Sequence, residues 1–409
     1  MKIKIHRGTH QIGGCITEIK TAKARIIIDI GSELPTAEKK KDTGIAIEGV
    51  TTGKPDCDGI FVTHYHGDHI GMFEKVLPEV PIYMGEIAKQ IFAVVQQAIK
   101  TKLKKGNPEL IETFKTFTPG KKLKIKDITI TPLMVDHSAF DAYALLIEAE
   151  GKRILHTGDF RMHGARGKKM PLVFAKYAGN LDVLITEGTM LGRPGEKVMT
   201  EHEMGKIAEK LMRENKNTLV LCSSTNIDSI AAFYNAAIAN RKPFIVYDFQ
   251  DDILKIMNAT SKSSYYDFTR QTVYKYNPKN KKLHDYMNSR GFCMMIRANN
   301  RANSVPQQVM KAFPDNLLIY SLWAGYLEKH RPAYDEYKAE FIDNAIKTGS
   351  KFAELHTSGH ATAEDIKKLC EITKPKIVIP IHVEEPQAFT RLGIKGNIKV
   401  LNDGEFFDC

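Results

Sequence analysis

Thr63 to Gly71 read T-H-Y-H-G-D-H-I-G, which puts three imidazoles and one carboxylate within six positions, directly after the apolar run Gly59-Ile60-Phe61-Val62. A short apolar run reads as a strand, so the cluster falls on the loop at its end. His64 and His66, two apart, can point to one side of an extended segment and reach a single ion. Asp68 and His69 continue around the turn towards a second. Mixed nitrogen and oxygen donors suit borderline metals such as zinc, and paired ions of this kind activate water for hydrolysis. A surface histidine cluster without metal is the weaker alternative, because four ligand-type residues seldom crowd so closely without one.

The rest of the chain offers donors that such a centre would still lack. His137 follows the alternating Ile128-Thr129-Ile130-Thr131, Asp159 closes Ile154-Leu155-His156-Thr157-Gly158-Asp159, and His382 closes Ile377-Val378-Ile379-Pro380-Ile381-His382. One histidine or aspartate at a strand end is more often structural. Three in the same context as the cluster support one another.

Order and strand context together resemble the metallo-β-lactamase superfamily over essentially the whole chain. Its successive motifs are matched by Asp29 (in Ile26-Ile27-Ile28-Asp29-Ile30-Gly31), His64/His66/Asp68/His69, His137, Asp159 and His382. A narrower resemblance is to the β-CASP nucleases, the branch that includes bacterial RNase J, archaeal relatives and the endonuclease of eukaryotic pre-mRNA 3′-end processing. It rests on Glu187 in Leu184-Ile185-Thr186-Glu187-Gly188-Thr189, on His356-Thr357-Ser358-Gly359-His360, and on Pro380-Ile381-His382-Val383-Glu384. Ser223-Ser224-Thr225-Asn226-Ile227 also resembles the S-N segment early in the inserted domain of RNase J. A histidine at the last motif accompanies RNA-directed members, so His382 favours RNA. RNase J carries a further C-terminal domain and archaeal relatives carry N-terminal KH domains, whereas this chain begins at its first strand and stops soon after the last motif. Residues 160–169 are also more basic than is typical of RNase J.

The resemblance implies an α/β fold: a metallo-β-lactamase αββα sandwich at 1–195 and 351–409, interrupted by a β-CASP α/β domain at 196–350. It implies two divalent ions, zinc ahead of manganese, with His64, His66 and His137 holding one, Asp68, His69 and His382 the other, and Asp159 between them. Asp68, Glu187 and His360 are then the catalytic groups. His360, oriented by Glu187, would protonate the leaving 3′-oxygen, and Ser358 and His356 would hold the adjacent phosphate. Asp29 would orient the ligand loop from behind, or serve as a plain strand-end turn residue. The implied activity is that of a metal-dependent ribonuclease on single-stranded RNA. A hydrolase of DNA or of a small phosphodiester, and a non-catalytic RNA-binding paralogue, are the alternatives. Exonuclease against endonuclease is undecided, and a homodimer is left open. His156, His163 and Asp136 lie near the motifs, but their spacing assigns them no role.

At 409 residues, with 43% hydrophobic and 26% charged content, the chain is long enough for two or three domains with sizeable cores. A formal charge of +11 suggests a polyanionic partner. The run Lys39-Lys40-Lys41 reads more as a solvated loop than as a nucleic-acid contact. Six scattered cysteines without a C-x-x-C pair argue against a zinc ribbon and a disulfide framework, and suggest reduced thiols. The polar-apolar alternation from Met1 to His6 is no signal peptide, and no stretch approaches the ~20 apolar residues of a membrane span. The expected location is cytoplasmic.

Strands are predicted at Ile3-Ile5, Cys15-Ile19, Arg25-Ile30, Ile60-Thr63, Leu123-Ile125, Ile128-Leu133, Ala144-Glu148 and Arg153-His156, with Gly13-Gly14 turning the first hairpin. Past the breakers Leu191 to Gly195, longer helices alternate with buried strands in βαβ style. Phe352 to Leu355 is read as a strand already back in the first domain. Between Ser263 and Lys282, Tyr265, Tyr266, Phe268, Tyr274 and Tyr276 interleave with Arg270, Lys275, Lys279, Lys281 and Lys282. That pattern suits single-stranded nucleic acid, whose bases stack and whose phosphates pair, and equally suits a loop packing its own rings.

Overall fold

A computed structural model describes residues 1–34, 44–193 and 195–409. The lysine run 39–41 lies outside them, as does Pro194 in the breaker segment. The described residues up to Lys197, together with Gly359–Cys409, form one compact unit, and Val198–Ser358 form the other.

The first unit is built on two seven-stranded sheets. In one, the order is Phe406–Asp408, Lys2–Arg7, Ile16–Lys20, Arg25–Ile28, Gly59–Phe61, Ile82–Gly85, Lys115–Phe117. In the other it is Asn397–Ile398, Ile377–Ile381, Val183–Glu187, Lys152–His156, Ala142–Ala149, Ile128–Val135, Leu123–Ile125. Alternation explains how they pack. Leu145 and Ile147 join Ile5, Ile19, Ile26 and Ile28 of the facing sheet, while Ala144 and Leu146 turn outward to Phe174, Ile366 and Leu369 on the helices Met170–Tyr177 and Ala363–Thr373. The helix Glu86–Leu103 lies along Ile82–Gly85 and Lys115–Phe117 of the first sheet. The result is the helix–sheet–sheet–helix sandwich expected from the sequence. Four strands escaped that reading, Ile82–Gly85, Lys115–Phe117, Asn397–Ile398 and Phe406–Asp408, all too short to show a period.

Strand direction collects the chemistry. Ile128–Val135 and Lys152–His156 each run antiparallel to Ala142–Ala149, and Val183–Glu187 and Ile377–Ile381 run parallel to Lys152–His156. Their C-terminal ends therefore all emerge on one edge of the sheet, carrying His137, Asp159, Glu187 and His382. In the facing sheet Arg25–Ile28 and Gly59–Phe61 are parallel neighbours ending in Asp29 and the histidine cluster.

The second unit holds one six-stranded, fully parallel sheet in the order Val273–Lys275, Phe244–Val246, Phe292–Ile296, Asn217–Cys222, Asn316–Ser321, Lys351–Glu354. Its first helix, Glu201–Glu214, starts at a capping box in which the Thr200 and Glu203 side chains satisfy each other's backbone amides. Here the sequence reading needs correction. Lys351–Glu354 pairs in register with Leu317–Tyr320 and completes the second unit's sheet, and residues up to Ser358 stay with that unit instead of opening the return to the first. The stretch 263–282 resolves as well. Tyr266 and Phe268 are buried, Tyr265 packs on Tyr266, Tyr274 on Tyr286 and Tyr276 on His284, so all five rings have partners within their own unit. Lys279, Lys281 and Lys282 are exposed.

Candidate metal centre

Three nitrogens converge first. His66 Nδ1 lies 3.1 Å from His64 Nε2 and 3.2 Å from His137 Nε2. His137 Nδ1 donates to the Gly359 carbonyl at 2.6 Å, which can only accept, so Nε2 presents a lone pair inward. Thr63 Oγ1 spends its hydrogen on the Asp29 carboxylate at 2.9 Å and accepts from His64 Nδ1 at 3.1 Å, so His64 Nε2 is bare for the same reason. Burial and neighbouring imidazoles push His64 and His137 well below the usual histidine range, and burial brings His66 to about 4. All three are thus neutral, as ligands must be. A tetrahedral zinc with Zn–N near 2.05 Å requires nitrogens about 3.3 Å apart, and the observed separations fit it.

A second set adjoins the first. Asp29, held in the left-handed region at φ 61°, accepts from Thr63 N at 2.7 Å and from His69 Nδ1 at 2.7 Å. His69 Nε2 is thereby aimed at Asp159 Oδ2, 3.2 Å away. Across the site His382, also left-handed at φ 49°, donates from Nδ1 to Thr189 Oγ1 at 2.7 Å and turns Nε2 to Asp68 Oδ2 at 3.2 Å and Asp159 Oδ2 at 3.7 Å. Asp159 Oδ2 is also 3.9 Å from His64 Nε2, so one carboxylate oxygen stands between the two groups. Burial alone would raise Asp159, but His382, His69 and His360 hold it well below the carboxylate range, and it is ionised. Neither His69 Nε2 nor Asp159 Oδ1 makes a well-aligned hydrogen bond although both are buried, which leaves a lone pair on each for a cation.

Glu187 forms the third element. Its Oε1 accepts from Phe160 N at 2.9 Å and Ala361 N at 3.3 Å, and its Oε2 accepts from His360 Nδ1 at 3.0 Å. Shelter from water works against charge on His360, yet Glu187 and Asp159 outweigh it and raise its pKa. An imidazole tied by Nδ1 to a fixed carboxylate and inclined to hold a proton can act as an acid.

Of the sequence-predicted residues, His64, His66, Asp68, His69, His137, Asp159, Glu187, His360 and His382 are gathered in the first unit. Ser358 and His356 belong to the second unit. Several residues gain roles that spacing did not assign. His156 is fully buried, accepts from Gly158 N and contacts Thr17, a core histidine that shapes the turn into Asp159. Asp136 and Arg161 form a fully buried ion pair at 3.0 Å, and Arg166 donates to the His137 carbonyl. Much of the basic character of 160–169 is thus internal and braces the His137 loop. His163 lies 3.5 Å from Asp365, which caps the helix Ala363–Thr373. Thr63, Thr189 and Cys15 were missed. The two threonines adjoin motif residues, which was the available signal.

Residues 44–220 match the β-lactamase superfamily domain, and residues 350–401 match the RNA specificity domain of Zn-dependent metallo-hydrolases. Ribonuclease J of Mycoplasma genitalium is 24% identical over 404 residues, covering 94% of this chain and 68% of its own. The chain is similar to RNase J over nearly its whole length. Ribonuclease J of Helicobacter pylori strain B128 is likewise 24% identical and covers 99% of this chain, which spans only 60% of that relative's length. The RNase J-like frame also extends to an archaeal relative of similar size, Probable RNase MJ4 of Methanocaldococcus jannaschii, at 22% identity over 95% of this chain and 94% of its own. A crystal structure of a protein of unknown function from Enterococcus faecalis V583 shares the fold, with a TM-score of 0.75, 19% identity and 99% of each chain covered.

Proposed function

We propose that the chain is a metal-dependent ribonuclease that hydrolyses phosphodiester bonds of single-stranded RNA, using two divalent ions, zinc ahead of manganese. The observation that carries this reading is the position of Asp159 Oδ2 between a trio of neutral imidazoles and the set Asp68, His69 and His382. His64, His66 and His137 would hold one ion, Asp68, His69 and His382 the other, with Asp159 shared. Ions bound there would supply water acidified to neutral pH and positive charge for the phosphoryl oxygens.

The side chains do the rest. Asp29, Thr63, Thr189 and the Gly359 carbonyl fix which nitrogen His69, His64, His382 and His137 present, so these donors are oriented before substrate arrives. His360 holds a proton beside Glu187 and delivers it to the leaving 3′-oxygen. The assignment of His356 and Ser358 to a substrate phosphate rests on their motif. The RNA specificity match and the Ribonuclease J relatives support RNA over DNA or a small phosphodiester. Six free cysteines and no helix among the described residues long and apolar enough to cross a membrane support a cytoplasmic setting.

Asp159→Ala tests the reading directly. Elemental analysis should show lost metal, and cleavage of end-labelled single-stranded RNA should fall to background. Full metal content with near-normal cleavage would overturn it.

A further inference from the structure

Spacing suggests only that Cys15 is a reduced thiol, and its surroundings are unlike those of the other cysteines. It follows Gly13-Gly14, both in the left-handed region, on the connection between Lys2–Arg7 and Ile16–Lys20. That connection passes so close to the histidine loop that Cys15 N donates to the Asp68 carbonyl at 3.0 Å. The thiol, 1% exposed, lies with ligand atoms of His69 and His382 in a group whose members are all within 4.8 Å of one another. His69 Nε2, buried and without a hydrogen bond, points into the same space.

We propose that Cys15 supplies a thiolate ligand to the metal position formed by Asp68, His69, Asp159 and His382, and so makes that position select thiophilic ions over manganese and magnesium. This rests on the two-ion reading above. Zinc takes a thiolate at about 2.3 Å and an imidazole nitrogen at about 2.0–2.1 Å, and the Cys15 sulfur lies within 4.8 Å of both imidazole donors. On binding, the sulfur–hydrogen bond is replaced by a sulfur–metal bond and the proton leaves to solvent. Sulfur is a softer donor than the oxygens and nitrogens around it, so the gain favours zinc, cadmium or cobalt over manganese.

The test uses the full chain loaded with zinc or cobalt. X-ray absorption at the zinc edge should show a sulfur scatterer near ~2.3 Å alongside nitrogen and oxygen, and needs no variant. The cobalt form should show a thiolate-to-cobalt charge-transfer band that Cys15→Ser abolishes and Cys57→Ser keeps. The same Cys15→Ser change should cut the preference for cadmium over manganese by about tenfold or more, with manganese affinity little changed. Two ions per chain with nitrogen and oxygen scatterers only, or a band that survives Cys15→Ser, overturns the thiolate and leaves the ribonuclease reading standing. A chain that binds no ion overturns both.

Discussion

The His360–Glu187 and His69–Asp29 pairs do the same thing at different depths, each joining an imidazole Nδ1 to a carboxylate, but the consequences differ. Asp29 is buried beneath His69 and fixes a ligand, while His360 is 22% exposed and inclined to carry a proton. Replacing His360 with alanine should lower the rate on RNA by roughly 10²-fold or more through lost proton transfer, with both ions retained by elemental analysis. An aryl phosphodiester whose leaving group needs no proton should recover much of that loss. An equal loss on both substrates makes His360 a positioning residue, and a lost ion makes it a ligand. At this scale the chain was readable where donors cluster, because T-H-Y-H-G-D-H has no ordinary structural explanation. Thr63, Thr189 and Cys15 were hidden, since a hydroxyl or thiol has no spacing rule until the fold brings it to an imidazole.

Elements place these residues by close backbone approach, and Gly31 shows how little slack there is. It follows the strand Arg25–Ile28, and a Cβ there would stand 1.8 Å from the Asp68 carbonyl oxygen and 2.9 Å from Cys15 N. Gly31→Ala should therefore push the Asp68 loop away, destabilise the fold by about 1–3 kcal/mol and lower the content of one ion. Gly67→Ala, in the same loop with nothing within 4 Å of the added carbon, is the control and should change neither melting nor metal content. Loss of metal in both variants would mean the loop is merely sensitive to substitution. Most strands of the sandwich could be read from alternation, and their C-terminal donors with them. What alternation does not contain is the identity of a strand's neighbour. Phe352 to Leu355 looks equally like an edge of either sheet, and only its register with Leu317–Tyr320 decides. The tyrosines of 263–282 left two readings level for a related reason: aromatic and basic residues interleave alike on a binding surface and where a loop folds its rings inward and its lysines out.

For the molecule as a whole, the notable feature is that the outward nitrogens of His69, His64, His382 and His137 are tied to Asp29, Thr63, Thr189 and a backbone carbonyl, none of which is a proposed ligand. The sandwich beneath them is closed by an apolar core drawn from both sheets. The fold is therefore predicted not to need the ions, in contrast to small zinc domains whose folding energy is the binding energy. Stripping the ions with a chelator should leave the far-ultraviolet circular dichroism unchanged and lower the melting temperature only by the linkage expected of a bound ligand, with activity returning on adding metal back. Collapse of the spectrum on chelation would show the reverse. The order of events has a biological edge: a chain that completes its fold empty takes its ions from whatever pool surrounds it afterwards, so its working state reports the cell's metal supply at the time of use, not at the time of synthesis.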